Sequence, residues 1–380
     1  MSRRRASLVC TYCARTFSDK EPLWRCLCGG LLDLQFDKPW QKDQFAVNVP
    51  GMWRYRNTLP LNDDANIVSF GEGATPLIAH DIDGDVLLKL DYLFPSGSFK
   101  DRGAAMLISK MKELGIRHAV EDSSGNAGAA IAAYCARAGI GCDIYAPSST
   151  SAGKLRQIEA VGARLQKING SREQVAEAAL RAAEQSYYAS HAWNPFFFHG
   201  VKTCAFEIFE QLGRAPETVF APLGNGTLML GLCLGFSELL TAGMIDHLPK
   251  MIAVQSANCA PLAEAFTRNL PAAVQVEKRD TLAEGIAVAQ PVRGRQILRA
   301  VQESNGAILQ VTEAEIASSL KALHSAGLYV EPTSAVAVAG YRQWRAERPL
   351  SPAVIVLTGH GLKSGKQPLQ SPNLPRQQGL

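Results

Sequence analysis

Three short segments of this 380-residue chain carry side chains suited to chemistry. The first is Pro95-Ser96-Gly97-Ser98-Phe99-Lys100-Asp101-Arg102-Gly103. Its Pro and Gly set a sharp turn before a helical pattern, so Lys100 falls in the first helical turn. There the positive end of the helix dipole disfavours an ammonium. A lysine so placed has a physical reason to be a neutral amine, the form that attacks a carbonyl to give a Schiff base. A surface lysine at a helix start has the same spacing. The second segment, Asp122-Ser123-Ser124-Gly125-Asn126-Ala127-Gly128, has small residues whose backbone N–H groups can approach an anion. Its Ser and Asn also suit an ordinary helix cap. The third, Pro222-Leu223-Gly224-Asn225-Gly226-Thr227-Leu228, lacks the third Gly of a dinucleotide fingerprint. As a run of amides at a helix start it suits a monoester phosphate; as a plain tight turn it needs no ligand. Near the start, Cys10-x-x-Cys13 and Cys26-x-Cys28 offer four thiolates, the number that satisfies tetrahedral Zn²⁺.

Elements with a definite pattern must position these segments. Val86–Leu90, Ala119–Glu121, Cys142–Tyr145, Thr218–Ala221, Met251–Gln255, Ile308–Val311 and Ala353–Leu357 read as buried strands. Ala104–Leu114, Ala127–Ala138, Glu173–Gln185 and Glu313–Ala326 have helical patterns. Such alternation predicts an α/β fold of right-handed βαβ units, with mostly parallel sheets and helices on both faces. Ligands in these folds bind at the carboxyl ends of strands. All three segments lie at such ends, and so does Thr358-Gly359-His360-Gly361 after the last strand.

The run Ser96 to Gly103 resembles the cofactor-lysine segment of the fold-type II (tryptophan synthase β-like) pyridoxal phosphate enzymes, and that of threonine synthases most of all. The resemblance extends from Phe70-Gly-Glu-Gly-Ala-Thr-Pro-Leu77 to Thr358-Gly-His-Gly-Leu-Lys363. It implies that Lys100 forms the Schiff base with pyridoxal 5'-phosphate and then moves protons at the substrate's α and β carbons. It implies too that Asn126 bonds the cofactor's phenolic oxygen, and that Ser123, Ser124, Gly125 and Ala127 hold the substrate carboxylate. The cofactor phosphate would rest on Gly224, Asn225, Gly226, Thr227 and Leu228. Thr358 would face the pyridine nitrogen, where a neutral hydroxyl favours loss of a leaving group over transamination. Glu331-Pro332-Thr333-Ser334-Ala335 resembles a helix start behind the cofactor, and Thr281–Ile286 a segment along its ring. The implied architecture is two-lobed: a large cofactor domain (36–105 and 190–363) and a small mobile domain (106–189) that closes to exclude water. A zinc-ribbon-like segment (1–35) precedes them. A Pro- and Gln-rich extended tail (364–380) follows.

The implied activity is that of threonine synthase, O-phosphohomoserine to threonine by elimination and water addition. Two positions depart from that pattern, the first being Leu228, where threonine synthases carry a second Asn. In Asn194-Pro195-Phe196-Phe197-Phe198-His199-Gly200-Val201-Lys202-Thr203, Phe197 stands where threonine synthases carry a phosphate-binding Arg. A phenyl ring cannot make the bidentate contact of a guanidinium. Lys202, or Lys154 or Arg156 from the small lobe, is a candidate to supply the charge instead. The departure keeps open a serine/threonine ammonia-lyase or β-replacement synthase acting on an unphosphorylated amino acid. A non-catalytic cofactor-binding protein is a further class, against which the retention of Lys100, Asn126 and Thr358 together counts. Net charge is +4 with both signs interspersed, which gives no footprint for nucleic acid. No apolar run reaches the roughly 18 residues of a membrane span, and nothing resembles a secretory leader. The expectation is a cytoplasmic homodimer acting on a small amino acid, with its nine Cys as thiols or metal ligands.

Overall fold

The computed structural model describes residues 6–36, 49–81, 86–150, 152–348 and 352–363. The tail expected over 364–380 lies outside the described residues. The chain opens with β1 (Ala6–Cys10), β2 (Thr16–Ser18) and β3 (Leu32–Phe36), an antiparallel sheet in the order β2-β1-β3. Next come β4 (Leu77–His80), β5 (Val86–Lys89), α1 (Lys100–Glu113), β6 (His118–Glu121), α2 (Asn126–Ala138) and β7 (Gly141–Pro147). They are followed by α3 (Ala152–Ala160), β8 (Arg164–Ile168), α4 (Arg172–Ala182), β9 (Tyr187–Tyr188), α5 (Pro195–Val201) and α6 (Thr203–Leu212). The remainder holds β10 (Thr218–Pro222), α7 (Thr227–Thr241), β11 (Lys250–Ser256), α8 (Pro261–Thr267), α9 (Gly294–Glu303), β12 (Ala307–Val311), α10 (Glu313–Ser325), α11 (Pro332–Ala346) and β13 (Ala353–Val356).

Two sheets carry the α/β architecture. One has six strands in the order β12-β11-β10-β13-β5-β4, parallel throughout except for the antiparallel edge strand β4. The other has four parallel strands in the order β8-β7-β6-β9. Every residue of β10 and β13 is buried, as strands covered by helices on both faces must be. That is why they read as unbroken apolar runs rather than alternating ones. All the strands and helices expected from the sequence are present, with ends displaced by at most four residues.

Helices α1 and α5 approach almost backbone to backbone. A Cβ on Gly103 would overlap the Phe197 ring, and one on Gly200 would overlap the carbonyl of Arg102. This crossing needs glycine on both sides, and it fixes the Phe-rich segment against the helix that begins at Lys100. Below the crossing lies a buried charge network. Arg102 donates to Asp91 Oδ2 from Nε at 2.8 Å and to Asp91 Oδ1 at 2.9 Å, and to both oxygens of Glu207 at 2.7 Å. Lys89 Nζ adds a bond to Glu207 Oε2 at 2.8 Å. The two cations hold the Glu207 carboxyl far below the usual range despite its burial.

The N-terminal sheet is fastened to this body. Buried Arg293 donates to the carbonyls of Leu32, Ala192 and Trp193 at 2.8, 2.9 and 2.8 Å, and pairs with Asp33 at 2.6 Å. Trp24 packs edge-on against Tyr188 and Trp193, with ring centroids 5.0 and 5.6 Å away.

Candidate active site

Four turns at strand ends converge as the sequence patterns require. The lysine turn is closed by Asp101, whose carboxylate accepts from Ser96 N at 2.8 Å. It is joined to the end of β13 by Phe99 N donating to Thr358 O at 3.0 Å and by a bridge between Ser98 and Gly359. Lys100 Nζ donates to Thr227 Oγ1 at 2.9 Å, so the amine meets the glycine loop at the start of α7. It also lies 4.8 Å from the Phe99 ring centre and 5.6 Å from that of Phe197. Desolvation lowers its pKa to about 7, against the opposing pull of Glu121 and Glu331. The neutral amine is therefore accessible near neutral pH.

The glycine loop forms an anion cradle. Gly226 has φ +74° as the residue before α7. Among the described residues, the N–H groups of Gly224, Asn225, Gly226, Thr227 and Leu228 have no hydrogen-bond partner. Successive free amides at a helix start fit a phosphate. The Ser123–Ala127 turn is built alike: Gly125 N bonds Ser123 Oγ at 3.3 Å, while the N–H groups of Ser124, Asn126 and Ala127 are free among the described residues. Buried Ser98 Oγ, beside Lys100, also lacks a partner. Two amide cradles, an amine poised at neutral pH and an orphaned hydroxyl fit an aldehyde-bearing phosphate monoester together with a carboxylate substrate.

Asn126 Nδ2 donates to the Glu331 carboxylate at 2.9 and 3.0 Å. The Ser334 hydroxyl accepts from the backbone N–H of Thr358 and Gly359 at 2.9 and 3.1 Å. Thus the helix start at Glu331 braces both the asparagine and the threonine turns. Ile286 lies against Gly224, where a Cβ would come 2.9 Å from its Cα, so the 281–286 segment backs the glycine loop. His360 is taken up locally, its Nδ1 accepting from Leu362 N at 3.1 Å.

Phe197 is completely buried. Lys202, a candidate to replace the missing Arg charge, does not face the cleft. Its Nζ is held by Thr58 O at 2.8 Å, Glu238 Oε1 at 2.7 Å and His199 Nδ1 at 3.2 Å. The half-buried Glu238 takes that ammonium as its counter-ion. The sequence reading also passed over a buried pair at the same place. His191 Nδ1 lies 2.7 Å from Glu121 Oε1 and Nε2 lies 3.3 Å from Asn225 Nδ2, with the ring edge-on to Phe197 at 6.1 Å. A glutamate inside an otherwise apolar strand was the available signal.

In the N-terminal segment, the Sγ atoms of Cys10, Cys13, Cys26 and Cys28 all lie within 4.8 Å of one another. The pairs Cys10–Cys28, Cys13–Cys26 and Cys13–Cys28 are 3.5, 3.6 and 3.6 Å apart. A disulfide would bring sulfurs to about 2.05 Å, whereas Zn–S bonds of about 2.3 Å in a tetrahedron set them roughly 3.8 Å apart. Burial raises the Cys10 thiol, but the N–H groups of Cys13 and Tyr12 and the neighbouring thiols outweigh it and bring the pKa to about 6.

Comparison with known proteins gives concordant results. A family model described as pyridoxal-phosphate dependent enzyme matches residues 68–359. The threonine synthase of Methanocaldococcus jannaschii is 34% identical over 372 residues, 93% of this chain and 92% of that protein. That of Synechocystis is 37% identical over 321 residues, 81% of this chain and 82% of that protein. Among solved structures, a fungal L-serine ammonia-lyase from Rhizomucor miehei superposes with a TM-score of 0.67 at 21% identity, covering 76% of this chain and 93% of that one. Maize serine racemase gives 0.66 at 20% identity, covering 76% and 88%. These two likenesses concern the fold.

Proposed function

We propose that this chain, which belongs to the pyridoxal-phosphate dependent enzyme family, is a threonine synthase-like carbon–oxygen lyase that converts O-phosphohomoserine to threonine. The observation that carries this reading is the contact of the Lys100 amine with Thr227 at the mouth of the unpartnered amide cradle. Pyridoxal 5'-phosphate bound there would withdraw electrons from the substrate's α carbon and make its neighbouring hydrogens acidic. The cradle from Gly224 to Leu228 would hold the cofactor phosphate, and Asn126 and Thr358 would orient the ring. The amides around Ser123, Ser124, Gly125 and Ala127 hold the substrate carboxylate. Lys100 takes the α proton and then a β proton, phosphate leaves from the γ carbon, and water adds at the β carbon.

Phe197 supports a second reading. With Phe197 buried and Lys202 paired elsewhere, neither supplies a cation for a phosphate leaving group, as suits an unphosphorylated hydroxy amino acid. Holoprotein given O-phosphohomoserine, then L-threonine and L-serine, separates the two. Phosphate with threonine from the first compound establishes the synthase. Silence there, with 2-oxo acid from the others, establishes an ammonia-lyase.

The poise of Lys100 gives a pH prediction. The amine must be neutral to capture the cofactor, and its pKa is lowered to about 7. Uptake of pyridoxal phosphate by cofactor-free protein should therefore rise about tenfold per pH unit below pH 7 and level off above it. An ordinary lysine would keep the rate climbing to about pH 10. Stopped-flow absorbance from pH 5.5 to 9 reads the midpoint.

The four-sulfur cluster is assigned to one structural zinc. Metal analysis should find one zinc per chain, and Cys10→Ala should lose it and lower the thermal midpoint. Metal-free protein of unchanged stability would remove the assignment. The same reading makes the protein a cytoplasmic homodimer. Nine unpaired thiols accord with a reducing compartment, and no described helix is long and apolar enough to cross a membrane. Light scattering on purified protein tests the dimer.

A further inference from the structure

We infer that His191 is a positioning residue for the phosphate cradle: it holds the Asn225 side chain and, braced by Glu121, ties the glycine loop to the end of β6. The inference rests on the reading that this loop receives the cofactor phosphate, and not on which amino acid is the substrate. Asn225 stands between Gly224 and Gly226, and glycine is the residue whose backbone is least restrained. The amides of residues 224–228 have no partner among the described residues, so they do not hold the loop in shape themselves. Among the described residues, one hydrogen bond ties residues 224–226 to a distant part of the chain, Asn225 Nδ2 to His191 Nε2 at 3.3 Å. His191 is itself fixed. Its ring is buried, edge-on to Phe197 at 6.1 Å, and its Nδ1 lies 2.7 Å from Oε1 of the fully buried Glu121. A turn held before its ligand arrives loses less conformational entropy on binding.

The three side chains form a chain of neutral groups. Burial raises the Glu121 carboxyl well above its ordinary range and Asp122 raises it further, while Arg172 and Lys100 oppose. Burial, with the Lys100 and Arg172 charges, holds His191 well below the ordinary imidazole range. Both are therefore uncharged at pH 7. Asn225 Nδ2 can only donate, so Nε2 accepts and the ring proton sits on Nδ1. That proton is donated to Glu121 Oε1, which acts as the carbonyl oxygen. The carboxyl proton then sits on Oε2, which has no partner among the described residues. A carboxylate at the head of this chain would repel a phosphate dianion in the cradle, and a neutral carboxyl does not. The brace therefore stiffens the loop without opposing the charge it is to receive.

The test compares pyridoxal 5'-phosphate with pyridoxal, which has the same ring and aldehyde but no phosphate. The full chain, stripped of cofactor, is titrated with each, and the ratio of the two dissociation constants isolates the phosphate's share of the affinity. His191→Leu should lower that preference about three- to tenfold and leave the affinity for pyridoxal within about twofold of wild type. A general loss of structure weakens both compounds alike, so an unchanged preference in His191→Leu overturns the inference. Asn225→Ala should lower the preference by a similar factor, and His191→Leu added to it should lower it no further. Additive losses overturn the inference. Glu121→Gln keeps a neutral carbonyl opposite Nδ1 and should leave the preference within about twofold of wild type. A fall as large as that in His191→Leu overturns the neutral chain. Wild-type protein that binds the two compounds equally removes the assignment of the loop to the cofactor phosphate, and the inference with it. Should His191→Leu not fold, nitrogen NMR of His191 in wild-type holoprotein decides. The ring proton on Nδ1 with Nε2 accepting at pH 7 supports the brace, and an imidazolium or a protonated Nε2 overturns it.

Discussion

Lys100→Ala is expected to cut turnover by at least about a thousandfold and to abolish the visible absorbance band of protein-bound cofactor. Both effects share one cause. In the proposed reading the amine that captures the aldehyde is also the base for the α and β protons, and among the described residues no second lysine is disposed to replace it. Lys363 is engaged by the Ser96 carbonyl and Gln157 at 2.6 and 2.7 Å. Lys202 is held by Glu238. The substitution should leave the fold intact, because among the described residues Lys100 makes a single side-chain hydrogen bond, to Thr227. Far-ultraviolet dichroism unchanged from wild type is therefore part of the expectation. Borohydride reduction should fix the cofactor to the wild-type chain at Lys100 and fail in the variant. A variant that still traps the cofactor covalently would place the reactive amine elsewhere.

Arg102→Met is expected to cost about 3–5 kcal/mol of folding stability, the largest loss predicted for a single side chain here. The guanidinium satisfies Asp91 and Glu207, with Thr203 and Thr75 at 3.1 and 3.3 Å. Glu207 retains Lys89 after the change, but Asp91 retains only the Thr75 hydroxyl at 2.6 Å. The penalty is that of a carboxylate left buried without a counter-ion, not of a lost surface contact. Adding Asp91→Asn should restore part of the stability, because the orphaned charge is then gone. The midpoint of urea unfolding measures both. A double variant no more stable than Arg102→Met would trace the loss to packing against Phe94, whose ring centre lies 4.9 Å from the guanidinium.

The turns bearing Lys100, Asn126, Gly226 and Thr358 were legible because each is a local event. A buried strand ends, small residues bend the chain, and a helix begins. The departure at Phe197 was legible too, as a mismatch in an ungapped motif. What it packs against was not. The crossing of α1 with α5 depends on Gly103 and Gly200, which lie almost a hundred positions apart. The Glu121–His191 pair spans 70 positions, and no period or spacing joins a strand residue to a loop residue so distant. Lys202 misled for the same reason, since its sequence neighbours do not include Glu238. Helix α7 was read only at its start, and its extent was not legible because its apolar residues run round most of the cylinder and set no period. Strand β9 escaped because two residues make no alternation.

The Arg293 clamp bears on how the chain is made. Leu32 and Asp33 leave the ribosome early, but the guanidinium that fastens them is about 260 positions later. At about 5–20 residues per second, the first sheet waits roughly 10 to 50 seconds for its fastening. Trp24 waits most of that time for Tyr188 and Trp193. During synthesis the N-terminal segment must therefore keep its own shape or be shielded. A ribosome stalled before residue 188 would leave an indole, and one stalled anywhere before residue 293 an unfastened strand, exposed to the first apolar surface it met.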